Sequence, residues 1–174
     1  MTSTTQPTVS SAKEQFLRAY DREHAITMRV LRAFPADKMD FRPHELCKSA
    51  RELAWVFVAE RGLGTLVFDN AFANGMPSGG APEAPNDWEA ILAAIESTHR
   101  DFGEVVRAMP DEKLGEQVRF FTAPKTMGDV GRLEFAWFLL HDEIHHRGQF
   151  SIYLRMAGGK VPSIYGPTRD EPWM

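Results

Sequence analysis

Cysteine is almost absent from this sequence: Cys47 is the single thiol. One cysteine excludes an intramolecular disulfide framework and fits a reducing compartment. Long apolar runs are missing too, and none approaches the ~20 residues needed to cross a bilayer. There is no excess of positive charge. The formal net charge is -4 and the pI is about 5.9, with Lys and Arg scattered among Asp and Glu. Nucleic-acid binders carry a basic patch or stripe instead. Neither nucleic acid nor a membrane is therefore expected as a partner, and the cytoplasm is the expected location. Residues 1–10 are rich in Ser and Thr and lack the apolar core of a signal peptide, so they are expected to form a flexible tail. The chain contains no internal repeat.

What is present is an ordinary globular balance, 43% hydrophobic and 25% charged over 174 residues. That is enough chain for one domain with its own core, expected over 11–174. Pro- and Gly-rich connections separate four helical segments. The first spans about 11–34 and stops at Pro35, with Phe16, Tyr20, Thr27, Val30, Leu31 and Phe34 on one face. The second starts at Ser49, where Ser49 and Glu52 match a capping box. Leu53, Val56, Phe57, Gly64, Val67 and Phe68 share its face, and Gly62 and Gly64 predict a bend. Residues 74–85 are a loop by composition. The third helix starts near Asn86, read as its cap, and ends before Pro110. A long connection follows, with 117–122 as a short extended piece. The fourth helix covers about 130–157 and ends at Gly158-Gly159. Four amphipathic stripes need one another to be buried, so the expected fold is an all-α, antiparallel-type four-helix bundle. The tail, with Pro162, Ile164, Tyr165 and Trp173, is expected to lie across it as an extended strip.

Chemistry concentrates in the fourth helix, which reads His141-Asp142-Glu143-Ile144-His145-His146-Arg147-Gly148-Gln149. Two metal ligands on one helix must sit a turn apart on the same side. Asp142 with His146 and His141 with His145 both satisfy this, so spacing alone does not choose. With Phe135, Phe138, Ile152, Tyr153 and Met156 taken as the buried face, Asp142, His145 and Gln149 fall near its centre and His146 on its flank. His141 and Arg147 fall further out, with Arg147 expected to pair with a surface acid. Glu60 falls mid-stripe on the second helix. Glu23 holds a similar place on the first helix, with His24 at its edge, although a carboxylate at a bundle edge is more often a surface residue. A buried carboxylate needs a partner or a metal. Histidines and carboxylates from facing helices are how bundles build metal sites. A satisfied His–carboxylate pair in a core is the plainer alternative. His145 and His146 point about 100° apart, so only one of them serves a given ion.

The stretch from Leu140 to Tyr165, LHDEIHHRGQFSIYLRMAGGKVPSIY, resembles the last helix and tail of the DinB-like four-helix-bundle family. The HHRGQ and VPSIYGP segments carry most of the likeness, and the three upstream helices match in order and length. The resemblance implies a divalent metal held by three histidines, two of them four apart on the last helix and one on the second. It also implies a homodimer and a link to the stress response. This chain departs from that pattern. Asp142 stands a turn before His146 where the family has histidine, and the second-helix position falls on Val56. Glu60, a turn beyond Val56, supplies a replacement carboxylate. The expected ligand set is therefore Glu60, Asp142 and His146, with His145 as a substitute. Such a carboxylate-rich set suits Mn or Fe better than a pure imidazole Zn or Ni site.

Two functions are weighed. The first, implied by the resemblance, is a metal-binding protein acting as a thiol-dependent transferase or hydrolase of small electrophiles. Its thiol comes from outside, since no cysteine is expected at the seam. The second is a non-catalytic structural or small-ligand-binding dimer whose family metal site has been lost. A homodimer is also expected from Leu139, Leu140, Ile144, Phe150 and Leu154, which lie off the proposed seam and make the last helix apolar on a second side. Gly148, costly inside a helix, is expected at a close helix contact or a dimer seam.

Overall fold

The computed structural model describes residues 10–78 and 82–174. The expected tail over 1–10 falls outside these residues except for Ser10. Four long helices make the framework: α1 (Ala12–Arg32), α2 (Ala50–Phe68), α3 (Trp88–Ala108) and α5 (Arg132–Met156). A one-turn helix, α4 (Asp111–Leu114), and a hairpin of β1 (Gln117–Ala123) and β2 (Thr126–Gly131) fill the connection before α5. Among the described residues no helix is long and apolar enough to cross a membrane.

Local chemistry sets the helix ends. Ser11 with Glu14 and Ser49 with Glu52 form full capping boxes, each satisfying two orphan N–H groups of α1 and α2. Asp87, rather than Asn86, caps α3 by accepting from the Glu89 N–H. Asn86 instead accepts from the Arg51 guanidinium. Gly158 follows α5 with φ +88, a conformation that costs a side-chain-bearing residue more than glycine. The α2 helix is continuous through Gly62 and Gly64. Gly64 is there for a close approach: a Cβ would lie 2.8 Å from both Leu139 Cδ1 and Phe102 Cε2.

Each long helix packs against two others, α1 on α3 and α5, and α2 on α3 and α5. Aromatic and polar contacts give the directions. Phe16 and Trp137 meet at one end of α1 and α5, and Phe34 and Phe150 near the other, so these two run parallel. Arg51 meets Asn86, and Phe68 meets Phe102, so α2 and α3 also run parallel. The α1/α3 and α2/α5 pairs are antiparallel, as Tyr20 on Phe102 with Phe34 on Trp88, and Phe57 on His146 with Tyr153 on Lys48, indicate. The expected four-helix bundle is present, with two of its four neighbouring helix pairs parallel rather than antiparallel. The long α2–α3 connection lets the chain return to the same end and run parallel.

The expected extended piece is β1, whereas its partner β2 occupies residues expected to end the connection and start the last helix. Gln117 pairs with Gly131 and Phe121 with Met127. The hairpin docks by Val118 and by Phe120, whose ring meets Phe72 and Phe135.

Two apolar clusters form the core, one around Leu31, Phe57, Ile91 and Phe150, the other around Phe16, Phe68, Phe102 and Phe135. Between them lies a buried polar waist of Glu23, Thr27, Arg61, His99, Glu143 and Arg147. Leu139, Leu140, Phe150 and Leu154 are buried in the chain's own bundle, and Ile144 packs against it. That face therefore needs no partner to cover it. Phe138, Ile152 and Met156, expected inside, are exposed instead. The tail does pack on the bundle: Val161 and Ile164 join the first cluster, and Arg29 donates to the Ser163 carbonyl. Trp173 stays largely exposed, its Nε1 donating to Ser163 Oγ at 3.0 Å.

Candidate metal centre

At the level of the waist, on one side of the α2/α5 interface, the structure brings Glu60, Asp142 and His146 together. One ligand atom from each lies within 4.8 Å of the others. His146 Nε2 is 3.1 Å from Glu60 Oε1 and 3.7 Å from Asp142 Oδ1. The side chains are 19%, 13% and 34% exposed for His146, Glu60 and Asp142, so solvent reaches the cluster from the Asp142 side. The antiparallel α2/α5 pairing sets Glu60 against the turn from Asp142 to His146. Phe57, one turn before Glu60, packs edge-on to the His146 ring.

Hydrogen bonds from the outer side orient the imidazole. His146 Nδ1 lies 2.9 Å from Gln149 Oε1, and Gln149 Nε2 lies 3.0 Å from His145 Nε2. An amide oxygen only accepts, so Nδ1 carries the proton toward Gln149. Nε2 is the nitrogen that faces the carboxylates. This is the usual support for a metal-binding histidine, whose second nitrogen donates to a fixed acceptor.

Burial pushes the Glu60 carboxyl up to about 7, with the His146 hydrogen bond opposing and Asp142 adding to the rise. The hydrogen bond to Glu60 is the main cause that lifts His146 to about 9, against the effect of its own burial. The Glu60 shift shows that burial disfavours its charge, and the His146 shift shows that the carboxylates favour a protonated imidazole beside them.

The other expected positions fall elsewhere. His145 is exposed and not brought into the cluster; its ring lies 5.4 Å from that of His146, and its Nε2 is 3.0 Å from Gln149 Nε2. His141 is exposed on the outer face of α5, beside Trp137. Val56 is half-buried in a neighbouring cleft with Trp55 and Ala59 and offers no donor. Tyr153 spends its hydroxyl on the Lys48 carbonyl at 2.9 Å. Among the described residues Gly148 faces open space, with no atom within 4 Å of an added Cβ, so it marks no close contact there. The physical reason for these shifts is phase. The buried face of α5 runs through Leu139, Leu140, Glu143, Arg147, Phe150 and Leu154, roughly a residue round from the expected one.

Arg147 is the largest correction. Expected to pair with a surface acid, it is only 1% exposed and pairs with buried Glu23 at 2.8 Å. It also donates to Thr27 Oγ1 and to the Tyr165 oxygen, and the Tyr165 hydroxyl donates in turn to Glu23. Burial acts to raise Glu23, but the hydrogen bonds from Tyr165, Arg147 and Arg22 together outweigh it and hold the carboxyl below its ordinary value. Glu143 accepts from Thr27 at 2.8 Å and from Arg61 at 2.9 Å. Arg61 also donates to the Ile95 carbonyl and lies 3.3 Å from His24 Nδ1. His24 stacks on His99 at 3.7 Å, and His99 on Tyr20 at 4.2 Å. Sequence reasoning missed the Arg61–Glu143 pair. A signal was there: Glu143 and Arg147, four apart and opposite in charge, interrupt the Leu139/Leu140/Phe150/Leu154 stripe.

This architecture and these helix ends agree with what the chain resembles. A DinB-like protein of known structure from Bacillus cereus aligns with TM-score 0.70 and 20% identity, covering 87% of this chain and 97% of that one. A DinB-like protein from Bacillus subtilis, YjoA, aligns with TM-score 0.66 and 16% identity, covering 92% and 99%. Among curated sequences, the uncharacterized protein YrdA of Bacillus subtilis is 26% identical over 159 residues, covering 91% of this chain and 90% of that relative. The sequence model of the DinB family matches residues 1–173, and the chain, with its helical bundle, belongs to the DinB family.

Proposed function

We propose that this chain binds a divalent cation through Glu60, Asp142 and His146 and serves as a thiol-dependent transferase or hydrolase of small electrophiles. The observation that carries the reading is the convergence of those three donor atoms within 4.8 Å. Two carboxylates and one imidazole form an anionic, mostly oxygen donor set, which favours Mn or Fe over Ni or Zn. Three protein donors fall short of the closed tetrahedral set of a structural site, which favours a catalytic one. A cation held there supplies Lewis acidity that lowers the pKa of a bound thiol or water.

The chain's own residues do the positioning. Gln149 holds the His146 Nδ1 proton, so Nε2 is turned to the carboxylates. Phe57 shields the imidazole on its inner side. Arg61, next in sequence to Glu60, is neutralised by Glu143 at 2.9 Å, so its charge does not compete. The sole cysteine, Cys47, lines the cleft beside His146, contrary to the expectation of no cysteine near the seam. It sits against the Tyr153 hydroxyl. Cys47 is not among the converging donors, and the reacting thiol is assigned to a small molecule.

Elemental analysis after reconstitution with Mn, Fe, Ni and Zn, paired with thermal melts, tests the reading. Ligand binding to the folded state alone stabilises it by about 2.7 kcal/mol at a hundredfold excess over Kd. A chelator is expected to lower Tm accordingly, and His146→Ala to lose both the metal and the chelator response. Absence of stoichiometric metal from all four reconstitutions, with no chelator effect, would leave the cluster a structural ion pair.

A further inference from the structure

Beside His146 a cleft of about 500 Å3 opens between the connection that precedes α2 and the face of α5. Its base is Leu53 and Tyr153, both buried. Leu46, 88% exposed, and Ile152, 58% exposed, line it as well. Large apolar side chains held in water beside a cavity lower their free energy when an apolar group covers them. Charge in the cleft is one-sided. Lys48 lines it, no carboxylate does, and Lys48 enters none of the ion pairs among the described residues. The cleft on the far side of Lys48 differs, since Glu52 and Glu83 line it with Arg51 and Trp55. There Arg51 is already engaged by Asp40 and Asn86.

We propose that the cleft beside His146 binds a small amphipathic anion, a short aliphatic chain ending in a carboxylate. The carboxylate pairs with the Lys48 ammonium, and the chain covers Leu46, Leu53 and Ile152. As the substrate subsite of the metal centre, this assignment rests on the function proposed above. As a binding site it does not, because none of the apolar or cationic contacts involves the cation. His146 lines the same cleft, so a bound molecule lies next to the centre that would act on it.

Cys47 provides the reporter, because it is the only thiol in the chain and lines this cleft. Octanoate is expected to slow alkylation of Cys47 by N-ethylmaleimide in the full-length, metal-free protein, and octylamine at equal concentration to leave the rate unchanged. Full burial is worth about a fourfold gain per methylene, and an open cleft that covers half of the chain gives about twofold. Butyrate, four methylenes shorter, should therefore bind about an order of magnitude more weakly than octanoate. Lys48→Gln should weaken octanoate by about five- to tenfold through loss of a charge-assisted hydrogen bond. Ile152→Ser should flatten the dependence on chain length. Isothermal titration with octanoate repeats the comparison without the thiol, and circular dichroism checks that each variant is folded.

Equal protection by octylamine and octanoate, or an unchanged octanoate affinity in Lys48→Gln, would overturn the proposal. The two readings fail separately. Stoichiometric metal without octanoate protection removes the cleft and leaves the metal centre standing. Octanoate protection in a protein that takes up no metal keeps the anion site and removes the metal centre.

Discussion

Replacing Arg61 by Met should be among the most damaging single changes in this bundle. The Arg61 and Glu143 side chains are 4% and 5% exposed and lie 2.9 Å apart. Met fills much of the space of the arginine stem, so the cavity left behind is small. Glu143 then keeps only the Thr27 hydroxyl, and the Ile95 carbonyl loses its guanidinium donor. Breaking a buried pair from one side costs about 3–5 kcal/mol, because a charge stays in a low-dielectric interior without compensation. For a domain of this size that corresponds to a Tm loss of roughly 6–20 °C. The double variant Arg61→Met/Glu143→Leu removes both charges and should recover most of the loss, to within about 1–2 kcal/mol of the parent. Urea denaturation in a chelating buffer, with m-values compared, measures all four corners of the cycle without a contribution from metal. A cost below about 1 kcal/mol for the single change would refute the reasoning, as would a double variant as unstable as the sum of its parts.

Gln149→Leu removes the acceptor of the His146 Nδ1 proton and should weaken metal binding by about 10–100-fold with little loss of stability; competition with a chromophoric chelator reads this directly. His24 and His99 are pushed down to about 3, burial being the first cause for both, with Arg61 adding to it. Arg61, Tyr20 and Asp21 face this stacked pair. Because the unfolded chain protonates these histidines near 6.5 and the folded one does not, the pair's contribution to stability should be complete above about pH 7 and be lost as pH drops toward 3. At pH 5 the loss should be roughly 1–2 kcal/mol per histidine after allowance for partial exposure. Urea titrations at stepped pH should find that loss reduced in His99→Gln. Two glycine substitutions should act in opposite directions: Gly64→Ala drives a Cβ into Leu139 and Phe102 and should destabilise by about 1–2 kcal/mol. Gly148→Ala meets nothing within 4 Å and should stabilise α5 by about 0.5–1 kcal/mol, read as opposite shifts in Tm.

Local signals in the sequence determined much of this protein. Ser49 and Glu52 announce the start of α2 because a capping box needs only residues three apart. Gly158-Gly159 ends α5 for an equally local reason. The apolar stripes of α1 and α3 carry a strong helical period, and the bundle follows from it. The α5 helix carries almost none, being apolar on two sides and interrupted by charge, so its phase could not be read from one dimension. That single ambiguity misplaced Arg147, His145 and Phe138 together, since a shift of one residue turns a helix by about 100°. Asp142 with His146 was legible as a pair one turn apart, the likeness to the DinB-like last helix chose it over His141 with His145, and the tertiary structure added the approach of Glu60 from α2. The β2 strand was invisible for a related reason: Gly128 and Gly131 give it little strand character, and it exists because Val118 and Phe120 hold its partner against the bundle. The waist of buried ion pairs was decided by tertiary structure alone. A buried arginine is stable only where carboxylates, a hydroxyl and carbonyls from several helices converge on it, and no stretch of sequence records that convergence.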